Sequence, residues 1–347
     1  MSENKKKFLL LTLEFPPQVG GVARYYEKIA KLLDGEVEVL LVHLNKRIWP
    51  RWILVFKNTW QLFKQNQFQF ILVGQVLHLG YVALMFKIFF GVKYIVFVHG
   101  MDVLMPQKNW WKKMWLKKVL SESQAIVANS KFTKNETNKI IDGVDKIKII
   151  YPCVEEVGHS EIEDKKEKII LSVGRLVERK GFDYAIKALP QVLQNVPSAK
   201  YVIIGSGGYK KKLSLLVSEL NLQEKVIFLE GIGDEELKHW YKKSTVFVLP
   251  CRQVGGDVEG LGTVLLEAAS FQLPVIVGNS GGAPEALVDK KTGLLVDPRS
   301  TEEIAAAIVE ILSNSEKAKK MGEAGRNLVE EKFLCHQQLP EFLKIVK

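Results

Sequence analysis

Short apolar segments alternate with amphipathic segments along almost the whole chain, and this alternation constrains the fold more than any other feature. The apolar segments are rich in β-branched residues, which predicts buried strands. Strands separated by helical stretches such as Val22–Leu33 favour parallel, doubly wound sheets, so we predict an α/β protein. The predicted strands are Phe8–Leu13, Val37–His43, Phe70–Val73, Tyr94–Val98, Ala125–Ala128 and Ile147–Ile150, followed by Ile169–Val173, Lys200–Ile204, Val226–Leu229, Val246–Leu249, Pro274–Val277 and Gly293–Val296.

The 347 residues are enough for two domains. The charged segment Glu155–Lys168 is polar enough to link them. We therefore predict an N-terminal Rossmann-like domain over residues 1–157 and a second domain over 158–330. A C-terminal helix over 331–347 could return to the first domain. Ligands of parallel sheets bind at the carboxyl ends of the strands, so two such domains imply a cleft between them.

The net charge of +10 lies entirely in the N-terminal half. Residues 1–160 contain 23 Lys and Arg against 13 Asp and Glu, whereas the remainder is balanced. This asymmetry suggests an anionic partner for the first half: acidic lipid, nucleic acid or a phosphorylated acceptor. Tryptophan and basic residues interleave at Arg47–Trp52 and Trp110–Lys118, which is typical of a membrane interface. A solvated lysine face on a core helix is the simpler alternative.

Several other classes of protein are disfavoured. The three widely spaced cysteines form no C-x-x-C pair, so we expect neither a disulfide framework nor a zinc site, and a reducing cytoplasm is favoured. Glu14 and Pro16–Pro17 interrupt the first apolar run before a signal-peptide core forms. The uncharged stretch Gln65–Phe86 contains glutamines and glycines, so strand, loop and helix explain it better than a membrane span.

Two carboxylates mark a candidate binding loop. In the segment Val258–Ala268, V-E-G-L-G-T-V-L-L-E-A, Glu259 lies in a glycine-bearing loop and Glu267 inside the helix that follows. Exposed backbone N–H groups at a helix start favour anionic or hydroxyl-rich ligands, and carboxylates accept hydrogen bonds from sugar hydroxyls. The alternative is an ordinary acidic helix start and a surface glutamate.

Two cations follow the first strand of the second domain. Gly174-Arg175 ends that strand and Lys180-Gly181 follows in the same loop, so the cations could clamp a diphosphate. A surface ion pair with Glu178 is the alternative.

Glycines follow two other strands. Gly20 and Gly21 come after the first strand, and Gly207 lies after the second strand of the second domain. Such glycines form either tight turns or phosphate-binding loops. The chain contains neither G-x-G-x-x-G nor G-x-x-x-x-G-K-[ST], which argues against a dinucleotide fingerprint and a P-loop.

His99 ends a predicted strand and is followed by Gly100 and, shortly after, Asp102. A histidine at the carboxyl end of a parallel strand is a candidate ligand-binding residue. No second histidine lies at metal-ligand spacing, so we expect no metal at this position.

Together these motifs resemble the retaining glycosyltransferases of family 4. The resemblance is carried by G-G at 20–21, H-G at 99–100, G-R-L-V-E-R-K-G at 174–181, E-G-L-G-T-V-L-L-E-A at 259–268 and G-G-A-P-E at 281–285, and it runs from Leu9 to about Arg326. The strings at 256–262 and 280–285 are most similar to those of bacterial phosphatidylinositol mannoside mannosyltransferases. The resemblance implies a GT-B architecture, in which two Rossmann-like domains face a central cleft.

The resemblance also implies a role for each candidate residue. Arg175 and Lys180, with Gly174, would hold the donor diphosphate and stabilise the leaving group, and Glu267 would bind the ribose. Glu259 and the backbone N–H groups of Gly260, Leu261 and Gly262 would bind hydroxyls of the transferred sugar. His99 would contact that sugar from the other domain. The backbone at Gly20 and Gly21 would approach the diphosphate, while Gly207 is assigned to the nucleotide pocket.

The implied reaction transfers a hexose, with mannose favoured, to an acceptor hydroxyl with retention of configuration. The donor would be a nucleoside diphosphate sugar, GDP-mannose being favoured over UDP-sugars, and the family typically needs no metal or other cofactor. We expect a lipid-linked or glycan acceptor and a cytoplasmic protein peripherally bound to an anionic membrane surface. A soluble acceptor and a nucleotide-sugar epimerase are the alternatives. We expect no nucleic-acid partner, because no recognised binding motif is present.

Overall fold

The computed structural model describes residues 7–18, 20–33, 37–42, 52–66, 68–141, 143–155 and 167–346. The chain divides into two compact units, the first formed by residues 1–152 with 335–347 and the second by residues 153–334. Most of the Arg47–Trp52 segment and most of the predicted linker Glu155–Lys168 lie outside the described residues, as does His43.

The first unit is built on six parallel strands in the order β2-β1-β3-β4-β5-β6. Four of the strands, β1, β3, β4 and β5, are mostly buried apolar runs, as expected for a parallel sheet that is buried on both faces, whereas the edge strand β2 is half-buried. The strands are β1 Lys7–Thr12, β2 Val37–Leu41, β3 Phe68–Val73, β4 Lys93–Val98, β5 Ala125–Ala128 and β6 Ile147–Ile149. The helices are α1 Gly21–Leu32, α2 Trp52–Gln65, α3 Leu79–Phe90, α4 Met101–Leu104, α5 Trp110–Glu122 and α6 Lys131–Asn138.

Alternate residues of these strands enter cores on opposite faces of the sheet, as the period of a strand requires. Leu9 and Val96 belong to one core, whereas Phe8 and Phe97 belong to the other. The chain's last helix completes this second core, because the fully buried Phe342 packs against Phe97 with ring centroids 5.9 Å apart.

The second unit contains six parallel strands in the order β12-β11-β10-β7-β8-β9. Strand β7 therefore lies between β10 on one side and β8 on the other, which makes the β7–β10 boundary the point where the direction of winding reverses. The strands are β7 Ile169–Val173, β8 Lys200–Ile204, β9 Val226–Leu229, β10 Val246–Leu249, β11 Val275–Gly278 and β12 Gly293–Val296. The remaining helices of the chain are α7 Phe182–Asn195, α8 Lys210–Glu219, α9 Asp234–Lys243, α10 Thr263–Ser270, α11 Thr301–Ser313, α12 Ser315–Lys332 and α13 Cys335–Val346.

All the strands predicted from the sequence are present, and their ends differ from prediction by at most two residues in the described regions. The uncharged stretch Gln65–Phe86 consists of a helix end, strand β3, a loop and most of α3, as predicted. None of the described helices is long and apolar enough to cross a bilayer.

The cysteines differ from the sequence prediction. Cys153 and Cys335 are disulfide-bonded, whereas Cys251 is a buried free thiol. The expectation of no disulfide was therefore wrong, because spacing along the chain does not show which cysteines a fold brings together. The interpretation that the cysteines indicate a reducing compartment loses its support.

Candidate active site

The candidate site of the second unit lies at the β7–β10 boundary. Strands β7 and β10 are adjacent and parallel, so the loops that follow them begin at the same edge of the sheet. The first loop carries Lys180, and the second carries Glu259, 79 residues later in the chain. The winding of the sheet, and not proximity in sequence, therefore brings these side chains together.

A buried ion cluster occupies this edge. Lys180 Nζ lies 2.7 Å from Glu259 Oε2, and the Arg179 guanidinium contacts the same oxygen. Arg179 Nε also lies 2.9 Å from Asp257 Oδ1. The exposed fractions are only 6% for Lys180, 8% for Arg179 and 9% for Glu259. Two cations and two carboxylates thus balance one another, and three of the four are buried, whereas the Asp257 side chain is 36% exposed.

Electrostatics keep Glu259 ionised in this cluster. Burial alone would raise the pKa of its carboxyl, but the attraction of Lys180 and Arg179 outweighs burial and lowers the pKa from 4.5 to about 2. Burial opposes the charge of Arg179 in the same way, yet the adjacent carboxylates raise the pKa of the guanidinium. A carboxylate with so low a pKa is a weak base, but it is ionised at neutral pH and can accept hydrogen bonds.

The backbone around Glu259 is fixed by the G-G-A-P-E segment. The N–H of Gly282 donates to the carbonyl oxygen of Glu259 over 2.9 Å. Gly281 has a φ of 62°, and a Cβ at that position would lie 2.5 Å from the same oxygen. Only glycine fits there, so this motif has a structural reason: it lets a neighbouring loop hold the backbone of Glu259.

Arg175 is the second residue after β7, next to Gly174, and is exposed to solvent. The predicted alternative partner of the two cations, Glu178, instead forms an ion pair with Arg252 at 3.5 Å. At Gly174 an added Cβ would lie 3.4 Å from Lys180 Cε, so the end of the Lys180 side chain lies beside the end of β7. Arg175 and the Lys180 ammonium therefore both lie near the carboxyl end of β7.

The other residues predicted in this unit lie in the loop before α10, in α10 itself and in the loop after β8. Gly260 and Leu261 are buried in the loop before α10, and Gly262 precedes the first residue of that helix. Glu267 lies in the second turn of α10, where the Tyr241 hydroxyl donates to its Oε2 over 3.0 Å. Gly207 packs closely on the loop after β7, since a Cβ there would lie 2.4 Å from the carbonyl oxygen of Leu176.

The first unit contains a separate cluster around His99, at the end of β4. The Tyr26 hydroxyl lies 2.5 Å from the Gly74 carbonyl oxygen and 2.6 Å from His99 Nε2. A hydroxyl has one proton, which Tyr26 donates to the carbonyl, so Nε2 of His99 must carry the proton of the second bond. The Nδ1 atom is then the unprotonated acceptor of the ring.

Burial keeps His99 neutral, lowering its pKa from 6.5 to about 4. Its backbone N–H donates to Asp102 Oδ1 over 2.9 Å. Burial raises the pKa of Asp102 to about 6, against the opposing effect of backbone N–H donors. The cluster can therefore present a neutral histidine acceptor to a ligand, in contrast to the ionised cluster of the second unit.

Gly20 and Gly21 lie where α1 begins. A Cβ at Gly20 would contact Glu14 at an ordinary 3.5 Å, so packing within the described chain does not require glycine there. The tight-turn interpretation thus has no steric support at Gly20, and the proposed approach of a ligand to this backbone stays a prediction.

Sequence reasoning missed Arg179, Asp257 and Tyr26. Arg179 was adjacent to the predicted Lys180, but a short 3-10 turn over Glu178–Lys180 buries both cations while leaving Glu178 exposed. That local geometry has no signature in the sequence. Within the described ranges, no group of three or more His, Cys, Asp or Glu side chains is arranged to hold a metal ion.

Comparison with known families identifies the family of this chain. Residues 155–328 match the family described as glycosyl transferases group 1, and residues 24–156 match glycosyltransferase family 4. The first match spans half of the chain, and the protein belongs to the glycosyl transferase group 1 family.

Three similar proteins are bacterial mannosyltransferases. The GDP-mannose-dependent α-(1-6)-phosphatidylinositol monomannoside mannosyltransferase of Mycobacterium tuberculosis is 27% identical over 365 residues, 93% of each chain. The Mycolicibacterium smegmatis protein of the same description is 42% identical over 161 residues, which are 46% of this chain and 42% of that relative. A GDP-mannose-dependent monoacylated α-(1-6)-phosphatidylinositol monomannoside mannosyltransferase of Corynebacterium glutamicum is 28% identical over 368 residues, 94% of each chain.

Solved structures share the fold. Sucrose-phosphate synthase from Thermosynechococcus elongatus matches with a TM-score of 0.86 at 19% identity over 98% of both chains. Anabaena HepE in complex with UDP and glucose matches with a TM-score of 0.78 at 17% identity, again over 98% of both chains. The predicted GT-B fold is thereby confirmed.

The ion cluster predicts how stability depends on pH. The pKa of Glu259 is lower in the folded state than its ordinary value, so its contribution is fully present above about pH 4.5 and is lost as the pH falls towards 2. We expect Glu259→Gln to destabilise the protein by about 3–5 kcal/mol at neutral pH, because two buried cations lose their partner. The difference from wild type should narrow below about pH 4.5, as measured by unfolding midpoints. The control Glu310→Gln removes an exposed ion pair and should cost about 0–1 kcal/mol. A pH-independent difference for Glu259→Gln would contradict this account.

Proposed function

We propose that the protein is a retaining hexosyltransferase that moves mannose from GDP-mannose to a hydroxyl of a lipid-linked acceptor, without a metal ion or other cofactor. The single observation that carries the proposal is the pairing of Lys180 with Glu259 at the β7–β10 boundary. A cation for a diphosphate and a carboxylate for sugar hydroxyls lie side by side there. The GDP-mannose-dependent relatives, similar over 93% of the chain, favour this donor and acceptor.

In the proposed reaction, Arg175 and Lys180 bind the diphosphate and neutralise the charge that develops as it leaves. One such contact is worth about 4 kcal/mol at 4 Å in a medium of intermediate dielectric constant. Glu267 binds the ribose. Glu259 and the N–H groups of Gly260–Gly262 bind hydroxyls of the mannose, and the neutral His99 of the first unit is suited to accept a hydrogen bond from a hydroxyl.

The proton of the acceptor hydroxyl needs a base. With a pKa of about 2, Glu259 is too weakly basic for this task, and His99, with a pKa of about 4, is little better. We therefore propose that the phosphate oxygen released from the sugar, which becomes more basic as that bond breaks, accepts this proton during attack on the same face of the sugar, which retains the anomeric configuration. The two cations stabilise that oxygen as the bond to the sugar breaks.

The proposed acceptor requires contact with a lipid surface, and α5 is suited to it. Its inner face buries Leu116 and Val119, while Trp110 and Trp111 are 73% and 52% exposed. Exposed Met101, Met105 and Met114 lie on α4, the following turn and α5. We name these five residues the tryptophan face. Exposed lysines of α5 flank it, and each contributes about 1 kcal/mol of attraction to an anionic surface. The predicted cytoplasmic location stays a prediction.

The donor assignment is tested by binding and turnover. We expect GDP-mannose at about 100 times its dissociation constant to stabilise the protein by about 2.7 kcal/mol, and to stabilise it more than UDP- or ADP-sugars do at equal concentration.

In a transfer assay, Arg175→Ala and Lys180→Ala should each lower kcat/KM by about 10² to 10³, because each removes a preorganised charge. Lys317→Ala, an equal change of charge elsewhere on the second unit, is the control. Near-normal turnover of either active-site variant would contradict the assigned roles. Isomerised nucleotide sugar without acceptor would indicate an epimerase, and transfer to water-soluble acceptors alone would indicate a soluble acceptor.

Membrane contact is tested by sedimentation with phosphatidylcholine vesicles that contain or lack phosphatidylglycerol. We expect binding to require the anionic lipid and to weaken with added salt. Trp110→Ser combined with Trp111→Ser should weaken binding about tenfold or more, because buried aromatic area is lost. The control Leu215→Ser removes a similarly exposed apolar side chain from the second unit and should have no effect. Vesicle binding that does not depend on lipid charge or salt concentration would contradict the proposed contact with an anionic membrane.

A further inference from the structure

Arg179 is fixed more firmly than an ordinary ion-pair partner. Its guanidinium binds two carboxylates, with Nε 2.9 Å from Asp257 and Nη1 on Glu259. Its carbonyl oxygen accepts a hydrogen bond from the backbone N–H of Arg252 over 2.8 Å. Both the side chain and the backbone of Arg179 are therefore held, and the guanidinium cannot leave Glu259 without disrupting this loop.

Lys180 is held differently. Its ammonium has one ion-pair partner in the described part of the chain, Glu259, and it lies on a flexible four-carbon stem beside Gly174. Of the two cations on Glu259, Lys180 is thus the one that can turn towards another anion. Arg179 is the one that stays.

This difference matters when a diphosphate binds. Within the cluster the charges of Arg179 and Lys180 cancel those of Asp257 and Glu259. A diphosphate at Arg175 and Lys180 competes with Glu259 for the Lys180 ammonium. If Lys180 were its only partner, Glu259 would become an unpaired buried carboxylate, which is costly and favours uptake of a proton.

We propose that Arg179 is a positioning residue for the transferred sugar, which keeps Glu259 ionised and oriented while Lys180 binds the donor diphosphate. Both cations contact Oε2 of Glu259, and in the described structure Oε1 receives no hydrogen bond. Oε1 is thereby left to accept from a sugar hydroxyl. The inference rests on the proposed function, since it assumes that the donor diphosphate binds at Arg175 and Lys180.

Glu259 is the group in this cluster whose protonation can change on donor binding. The cations that face it are Arg179 and Lys180, and Asp257 acts on it through Arg179. Its other titratable neighbour is Cys251. Burial, and then the charge of Glu259, raises the pKa of that thiol to about 12, so it stays protonated at neutral pH.

The test measures GDP-mannose binding by isothermal titration calorimetry from about pH 5.5 to 8, in buffers of different ionisation enthalpy. The pyrophosphate of a sugar nucleotide has no titrating group in this range, so proton uptake reports on the protein. We expect the affinity of the wild type to be independent of pH. Arg179→Met should bind about tenfold or more weakly at the alkaline end, recover towards acid pH, and take up a proton on binding. Arg179→Lys, which keeps the charge, should retain the flat pH profile with a smaller loss.

Arg252→Met is the matched control. Arg252 is also a buried arginine of this unit with a carboxylate partner, because its two terminal nitrogens lie 2.8 and 3.0 Å from the oxygens of Asp183. Its loss should lower thermal stability but leave GDP-mannose affinity independent of pH. A flat pH profile for Arg179→Met, or the same pH dependence in Arg252→Met, would overturn the proposal.

A second measurement needs no donor. In a double-mutant cycle of Arg179→Met and Glu259→Gln, the unfolding midpoint of the double variant should fall by less than the sum of the single changes. Additive changes would show that the two side chains are not coupled and would also overturn the proposal.

If the wild type binds no sugar nucleotide, the proposed function fails and the positioning role fails with it. If the wild type binds GDP-mannose while Arg179→Met has a flat profile, only the positioning role fails.

Discussion

The second unit depends on one electrostatic constraint: a buried carboxylate, Glu259, is ionised because two cations share one of its oxygens. Removing a carboxylate from water costs several kcal/mol, and Coulomb attraction offsets this only when the geometry is good and the partners stay in place. The parallel strands β7 and β10 provide that geometry, since their ends place both loops at one edge of the sheet. Replacing a whole buried ion cluster by apolar side chains of similar volume is often neutral or stabilising, although removing a single member is costly, so we attribute the presence of this cluster to function.

The two units stabilise their polar site groups in opposite ways. In the second unit, charges of opposite sign neutralise one another around Glu259. In the first unit, burial keeps His99 neutral and the Tyr26 hydroxyl fixes its tautomer through the Gly74 carbonyl. One unit therefore offers charge suited to a diphosphate, and the other offers a neutral acceptor suited to a hydroxyl.

The sequence predicted the strands well because most of them are buried on both faces of their sheet, which makes them largely apolar runs. The order of the strands also accounts for the contact between Lys180 and Glu259, since both follow strands at the carboxyl edge of the sheet; their role as site residues stays a prediction. The sequence did not predict Arg179, because nothing in E-R-K-G shows that a 3-10 turn buries Arg179 and exposes Glu178. Nor did it predict the disulfide-bonded cysteines or the bond between Tyr26 and His99, which depend on contacts between residues far apart in the chain.

A crystal structure of the protein with bound GDP-mannose is the most direct test of the central claim that this ion cluster is the donor site. We expect pyrophosphate oxygens within about 3 Å of the Lys180 ammonium and the Arg175 guanidinium, while Arg179 still contacts Glu259. Pyrophosphate bound elsewhere, or a Lys180 that stays on Glu259 out of reach of the phosphates, would contradict the account.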